Sequence, residues 1–310
     1  MIHNSKFNIQ QAIDLVVIGT VGIDDVDTPF GKVKGVLGGS AVYAASAASF
    51  FSRPGIMSIA GKDLPEKFIK YLKKRKIDIE GIEFKGKTFH WEGFYEYDMN
   101  EAKTIKTELN SLAEFEAKLP EKYKSAQYLL LGNTDPDIQL EVISQMKSKP
   151  FIVLDTMNFW ISSKKESLLK VIKKTNLFVL NEGEARQFFD TPNLIKAGKD
   201  ALLLGPEFVV IKKGEHGALL FSKAGFFSAP GYPLEIVKDP TGAGDSFAGG
   251  MIGYLSKTKD VSERNIRRAM IYGSSIASAC AESFSLDYIE NMKLKNIKER
   301  YNALKEIRRF

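Results

Sequence analysis

The sequence predicts an α/β protein built on a doubly wound, mostly parallel β-sheet with helices on both faces. Three observations carry that expectation. Six short, nearly continuous apolar runs lie at 15–18, 56–60, 128–131, 151–154, 177–180 and 208–211. Runs of strand length without polar alternation are the pattern of strands buried on both faces. Helical patterns separate them, at 40–51, 64–74, 137–147, 165–174 and 184–189, and this alternation argues parallel pairing through crossover helices. The last third then turns helical, with expected helices at 244–255, 261–282 and 287–309.

Taken in order, the first run ends at Gly19 and is followed by Thr20-Val21-Gly22-Ile23-Asp24. Parallel strands deliver ligand-binding groups at their C-terminal ends, which singles out Asp24, with Asp25 and Asp27 competing for the same role. A strand-like stretch at 33–37 meets Gly38-Gly39-Ser40, read as a tight turn with a serine cap before an alanine-rich helix. From Thr88 to Tyr97 the rhythm changes. Phe89, Trp91, Gly93, Tyr95 and Tyr97 fall on one face, and His90, Glu92 and Glu96 on the other. That is a period-2 strand, and 104–109 is expected to pair with it after Asp98-Met99-Asn100. Such an excursion from a doubly wound sheet suggests a lid or a subunit interface; the plainer reading packs the aromatics on their own sheet. The later strands end at Asn133 and Asp135, at Asp155 and Asn158, at Asn181-Glu182-Gly183-Glu184, and at Lys212-Lys213-Gly214-Glu215-His216-Gly217. Asn181 with Glu184 three residues on is a capping box. No repeat or low-complexity linker interrupts the chain, so a single domain over 1–310 is expected.

Composition narrows the function classes. Lys+Arg 44 against Asp+Glu 38 gives a net charge of +6 over 310 residues, with basic residues spread along helices. That is a solvated surface, not a nucleic-acid footprint. The single cysteine, Cys280, excludes an intramolecular disulfide, and three histidines without a His/Cys cluster give no support for structural zinc. No apolar run approaches membrane-spanning length and no secretory leader pattern is present, so no membrane partner and a cytoplasmic location are expected.

The most informative stretch is Asp239-Pro240-Thr241-Gly242-Ala243-Gly244-Asp245-Ser246-Phe247-Ala248-Gly249-Gly250. A Gly-rich turn feeding a helix N-terminus is an anion site, because its first N–H groups lack intrahelical partners and the dipole is positive there. A carboxylate at the rim of such a site is unusual. Phosphoryl transfer explains it: the turn 241–244 stabilises the transferring group while Asp245 takes the proton of the attacking hydroxyl. Its helix-end position is expected to depress the Asp245 pKa. No Gly-x4-Gly-Lys-Ser/Thr occurs, which excludes a P-loop kinase, and no Gly-x-Gly-x-x-Gly follows the first strand.

The unbroken string from Asp239 to Asp245 resembles the signature of the ribokinase-like, PfkB-type carbohydrate kinases. The Gly38-Gly39 turn resembles the N-terminal signature of that family, and the resemblance runs over essentially the whole chain. It implies a ribokinase-like fold with a small β-lid, here from segments near 20–37 and 85–110, which often joins two subunits into a homodimer. It implies that Asp24, Gly38, Gly39, Ser40 and Asn133 meet the phosphoryl acceptor. It implies that Asn181, Glu184, Lys212, Gly214, Gly217 and Thr241 meet ATP, with Glu184 reaching Mg²⁺ through water, and that 269–274 borders the adenine. A monovalent cation such as K⁺ beside Asp239 is common in the family. Ribokinases proper carry Asn where this chain has Gly22, which bears on ribose as acceptor.

The expected activity is transfer of the γ-phosphate of ATP to a hydroxymethyl group of a sugar or sugar-like substrate. Asp245 is the base, and Gly242, Ala243 and Gly244 form the anion hole. A nucleoside kinase of the same fold is the nearest rival; a stacking aromatic over the acceptor would favour it. A non-catalytic sugar or nucleotide sensor is the rival from another class, and the intact Gly242–Gly244 turn with Asp245 argues against it.

Overall fold

The computed structural model describes residues 13–309. The chain opens with β1 (Leu15–Ile18), β2 (Gly22–Thr28), β3 (Gly31–Gly38), α1 (Ser40–Ala48), β4 (Pro54–Ala60), α2 (Glu66–Lys74) and β5 (Asp78–Phe84). It continues with β6 (Phe89–Tyr95), β7 (Ala102–Glu108), β8 (Tyr128–Leu131), α3 (Pro136–Gln145), β9 (Phe151–Asp155), α4 (Asn158–Ser163) and α5 (Lys165–Ile172). Then come β10 (Leu177–Asn181), α6 (Glu182–Phe189), α7 (Leu194–Leu202), β11 (Phe208–Lys212), β12 (Ala218–Ser222) and β13 (Gly225–Ala229). Four helices close it: α8 (Ala243–Thr258), α9 (Glu263–Ala281), α10 (Asp287–Asn291) and α11 (Leu294–Ile307).

The main sheet runs β13-β12-β11-β10-β9-β8-β1-β4-β5. It is parallel from β11 to β5, and β12 and β13 are antiparallel additions at one edge. Strand order reverses at β1, between β4 and β8, and ligands of open α/β sheets bind outside the strand ends at such a reversal. The apolar runs are strands because both faces are covered. Leu15 and Val17 enter the core beneath α1, α8 and α9; Val16 and Ile18 enter the opposite core, against the α3–α7 side. Leu177 and Val179 against Phe178 and Leu180 repeat the division one strand after another.

The small residues of α1 and α8 exist for close packing. Every residue of α1 is buried. A Cβ added at Gly249 would collide with the backbone of Ala44, and one at Gly253 would lie 2.7 Å from Ala48 Cα. This contact sets the start of α8 beside the start of α1.

A second sheet, β3-β2-β6-β7, stands apart from the first. It is built from the two segments expected to leave the main fold. Its strands differ from the expected bounds: β6 is shorter, stopping at Tyr95, and its partner is Ala102–Glu108 rather than 104–109, with a bulge at Glu92/Gly93. The aromatic row is not an open patch. The Trp91 indole lies across Gly93 on the same strand, its Nε1 donating to Thr104 Oγ1 at 3.1 Å. Tyr95 is buried, and Tyr97 lies outside the strand, 84% exposed. Glycine leaves a gap on a sheet face that a neighbouring ring fills, which is why a partner is not required to cover Trp91.

Candidate active site

The end expected to meet the acceptor is built where β1 gives way to β2 and α1. Ser40 is not the cap of α1; Gly39 is, at φ 98°. That φ suits glycine, and a Cβ there would strike the Thr20 carbonyl. Ser40 instead ties strand to helix. Its Oγ accepts from Thr20 N at 3.0 Å, and its own N–H donates to Thr20 Oγ1 at 2.9 Å. Its hydroxyl thus serves the turn, not an open pocket.

Asp24 lies over Gly38 so closely that a Cβ at Gly38 would overlap its carboxylate. The side chain is 4% exposed. Burial raises its pKa to about 7; Asp239, Asp245 and Asp25 add to the rise, and the Gly39 N–H opposes it. Asp25 and Asp27, the competing candidates, are turned elsewhere: Asp25 accepts from Gly35 N at 2.7 Å and Asp27 pairs with Lys32 at 2.5 Å. Gly22 and Asp24 share a face of β2, and a Cβ at Gly22 would lie 2.7 Å from the Phe89 ring. Phe89 is opposite Gly22 in register, so the aromatic ring takes the place a side chain at 22 would need. Asn133 Oδ1 accepts from Trp160 Nε1 at 2.8 Å. Asp135 caps α3 and pairs with Lys164 at 2.7 Å.

The end expected to meet ATP lies at the C-terminal ends of β9, β10 and β11 and the start of α8. Gly242 caps α8 at φ 75°, and a Cβ there would enter the Tyr43 ring on α1. The turn presents fewer amides than the sequence suggests, because Ala243 N–H donates to Pro240 O at 3.0 Å. The amides of Gly244 and Asp245 make no hydrogen bond to the protein among the described residues. Asp239 is buried and braces the turn: Oδ1 accepts from Thr241 N at 2.9 Å and Oδ2 from Ser285 N at 3.4 Å.

Asp245 sits in the first turn of α8, but its pKa is raised to about 7, not depressed. Burial is the main cause, Asp155 adds to it, and Lys212 opposes it. Loss of hydration outweighs the helix end. Lys212 Nζ bonds both oxygens of Asp155, at 3.0 and 2.8 Å, and lies 3.1 Å from where a Cβ on Gly244 would stand. Asn181 and Glu184 form the expected capping box, Glu184 N to Asn181 Oδ1 and Asn181 N to Glu184 Oε2, both at 2.7 Å. Burial carries the Glu184 pKa to about 7, with Lys212 pulling it down and Asp155 and Asp245 pushing it up.

Gly214 and Gly217 divide in role. A Cβ at Gly217, φ 81°, would collide with the Ala229 carbonyl, so this glycine lets the chain cross behind it. A Cβ at Gly214 would meet only Asn100 Oδ1, at 3.9 Å, which brings the tip of the β6–β7 hairpin to this turn. The stretch 269–274 lies in α9, its Gly273 against Phe247 of α8. Two contributors were not foreseen. Tyr95, from the small sheet, receives a hydrogen bond from Thr241 Oγ1 at 3.2 Å. The second is Asp155 as the partner of Lys212. Both Asp155 and Lys212 directly follow an apolar run, and that signal could have paired them.

A buried carboxylate over a two-glycine turn, with a second buried carboxylate in the first turn of α8, is the arrangement the sequence led one to expect of an ATP-dependent small-molecule kinase. A family profile described as pfkB family carbohydrate kinase matches residues 12–290. The chain belongs to the pfkB family, and it transfers phosphate from ATP to a sugar-like alcohol acceptor. It is 29% identical over 257 residues to a cytidine kinase of Thermococcus kodakarensis, covering 81% of this chain and 91% of that one. It is 26% identical over 153 residues to a nucleoside kinase of Methanocaldococcus jannaschii, about half of each chain. The solved structure of the M. jannaschii nucleoside kinase matches at TM-score 0.75 and 18% identity, over 94% of this chain and 99% of that one. A putative ribokinase II of E. coli in complex with ATP and Mg²⁺ matches at TM-score 0.77 and 18% identity, with the same coverage. Among the described residues no helix is long and apolar enough to cross a membrane.

Proposed function

We propose that the acceptor is a nucleoside, phosphorylated on its hydroxymethyl group. The observation that carries this is Phe89. Its ring lies against Gly22, beside Asp24, where it offers a stacking surface for a base. Such stacking contributes about 1–3 kcal/mol per base. The cytidine kinase and nucleoside kinase among its relatives support the same acceptor.

In this reading Asp24 accepts hydrogen bonds from the sugar hydroxyls, over the Gly38–Gly39 turn. Asp245 receives the proton of the attacking hydroxyl. The new bond joins the acceptor oxygen to the γ-phosphorus; the bond from that phosphorus to the bridging oxygen breaks, and ADP leaves with the electron pair. The amides of Gly244 and Asp245 meet the transferring group. Gly214 and Lys212 lie on the nucleotide side. Asp155, Glu184 and Asp245 all act electrostatically on Lys212, but among the described residues no three acidic, histidine or cysteine side chains are grouped to hold a metal ion directly, so Mg²⁺ here would keep its waters. Glu184 would hold the ion through water, and the ion would neutralise charge on the ATP phosphates. Asp239 is a buried carboxylate without a lysine or arginine partner among the described residues, which suits a monovalent cation such as K⁺ beside Thr241.

The small sheet would close over the acceptor as a lid. Its edge strand β7 is exposed along its whole length, Ile105 included, as is Leu109 just after it, and an open strand edge of this kind suits pairing with a second copy; light scattering reads the state.

The test is steady-state ATP turnover with cytidine, uridine, adenosine, inosine, ribose and fructose. We expect a nucleoside to be preferred, and Phe89→Ala to raise its KM by roughly 5–100-fold with little change in kcat. Preference for a free sugar, unaltered by Phe89→Ala, would overturn the nucleoside assignment.

A further inference from the structure

Lys212 stands out because the anion turn needs only amides, yet a full positive charge has been built into it. The side chains of Lys212 and Asp155 are 16% and 8% exposed. They come from two strands, β9 and β11, that flank β10 and bring both groups to the C-terminal end of these parallel strands. Burying an ion pair costs free energy that its own attraction seldom returns, so a buried lysine beside a reactive turn suggests work other than stability. Burial alone would lower the Lys212 pKa; Asp155 and Glu184 reverse that and hold it above its ordinary value. The ammonium therefore stays charged, and its position is fixed by a two-oxygen clamp.

That position decides its use. Lys212 Nζ is 3.1 Å from the point where a side chain on Gly244 would begin. Gly244 leaves that space open, and its amide and that of Asp245 are without protein partners among the described residues. A phosphoryl group seated on those amides would lie within reach of the ammonium.

We propose that Lys212 is a catalytic residue that neutralises the transferring phosphoryl group at the Gly244–Asp245 turn, and that Asp155 is the positioning residue that holds it there. In the transfer, the acceptor oxygen bonds to the γ-phosphorus, its proton passes to Asp245, and the bond to the bridging oxygen breaks with its electrons leaving on ADP. Charge on the three equatorial oxygens is met by the amides and by Lys212. Lys212 neither gives nor takes a proton. The same ammonium faces Asp245 together with Asp155 and acts against the upward shift of the base. Asp24, Cys280 and Glu184 also interact electrostatically with Asp245.

The inference rests on phosphoryl transfer at this turn and not on the identity of the acceptor. The experiment compares wild type, Lys212→Met, Asp155→Asn, the double variant and Asp245→Asn, each with ATP and the best acceptor of the panel above. Lys212→Met is expected to lose roughly 10²–10³-fold in kcat, the scale for one transition-state charge stabiliser, while the acceptor KM stays within about threefold. Its acidic limb in the kcat profile should move to higher pH, because Lys212 lowers the Asp245 pKa. Asp155→Asn should lose less, with its limb moved to lower pH. The double variant removes both members of the ion pair, so neither is left buried without the other; it is expected to fold better than Lys212→Met and should remain slow. A double variant with wild-type kcat would make the pair structural and overturn the proposal. So would Lys212→Met with unchanged kcat and only a raised KM for ATP. If Asp245→Asn keeps full turnover, the site reading itself fails; if it is inactive while the Lys212 variants are active, only this inference fails.

Discussion

At the acceptor end, Asp24 is buried beside Asp25, Asp239 and Asp245, and among the described residues no lysine or arginine pairs with it. At the phosphate end, Asp155, Glu184 and Asp245 share Lys212. Asp24 and Asp245 both reach about pKa 7, but against different opposition: a backbone N–H from Gly39 in one case, an ammonium in the other. The difference sorts the ligands. A pocket with unpaired acidic groups repels phosphates and welcomes hydroxyl donors. A pocket with a clamped cation and free amides receives a polyanion. Under the proposed function, local charge directs the two substrates to their ends before any shape is considered.

The largest expected effect removes the one group both ends share. Asp245→Asn should keep the fold and ATP binding and lower kcat by roughly 10²–10⁴-fold, the range for losing a general base. In the wild type, kcat/KM should fall as pH drops below about 7, because Asp245, its pKa raised to about 7, is protonated there and cannot accept. A variant with near wild-type turnover, or an acid side that stays flat to pH 5, would remove Asp245 as the base.

Asp24 sharpens the contrast from the other side. Asp24→Ala should raise the acceptor KM about 10–100-fold, as hydrogen bonds to a charged group are worth about 1.5–3 kcal/mol, and leave the ATP KM within about threefold. Equal effects on both substrates would erase the division into two ends. The same residue carries a stability signature. A carboxylate whose folded pKa is raised from 3.8 to about 7 favours the folded state below its unfolded value, and that advantage is lost as pH climbs through about 7. Asp24→Asn should therefore stabilise the fold at pH 8 by up to about 4 kcal/mol, read as a higher Tm, and give no gain at pH 4. A uniform Tm change across that range would mean that Asp24 is not held against its charge.

Much of this was legible in the sequence, and for a physical reason. Strands buried on both faces must be apolar throughout, so 15–18 and 177–180 announce themselves. The string from Asp239 to Asp245 is contiguous and needs no tertiary knowledge. The small sheet was harder. β2 reads Gly-Ile-Asp-Asp-Val-Asp-Thr, whose acidic residues mask a strand because only alternate ones are buried. The shift of Asp245 was misjudged because a helix end is visible in sequence and desolvation is not. Ser40 looked like a cap because the positive φ of Gly39 cannot be read from the letters. Lys212 and Asp155 are 57 positions apart, and only the order β9-β10-β11 makes them neighbours.

The smallest expected effect tests whether the two ends are joined. Tyr95 belongs to β6 of the small sheet, the strand that also carries Phe89. Its hydroxyl receives the hydrogen bond of Thr241 Oγ1, and Thr241 immediately precedes the Gly242 cap of α8. Thr241 is held from two further sides, by Asp239 Oδ1 at its N–H and by Cys280 Sγ at its carbonyl. Of these, the bond at Tyr95 is the one that joins the small sheet to the turn before α8. Tyr95→Phe removes it and keeps the ring, so the core cost is small, and a single hydrogen bond is worth about 0.5–1.5 kcal/mol. If that bond transmits the position of the acceptor-side sheet to the turn, Tyr95→Phe should lower kcat about 2–10-fold with little change in either KM. Thr241→Val should do the same, and the double variant should be no worse than either alone, since the two act through one bond. Effects that simply add in this cycle would show the acceptor end and the phosphate end to be independent. Non-additivity would show that the sheet carrying Phe89 also sets the geometry of the turn where phosphate is transferred.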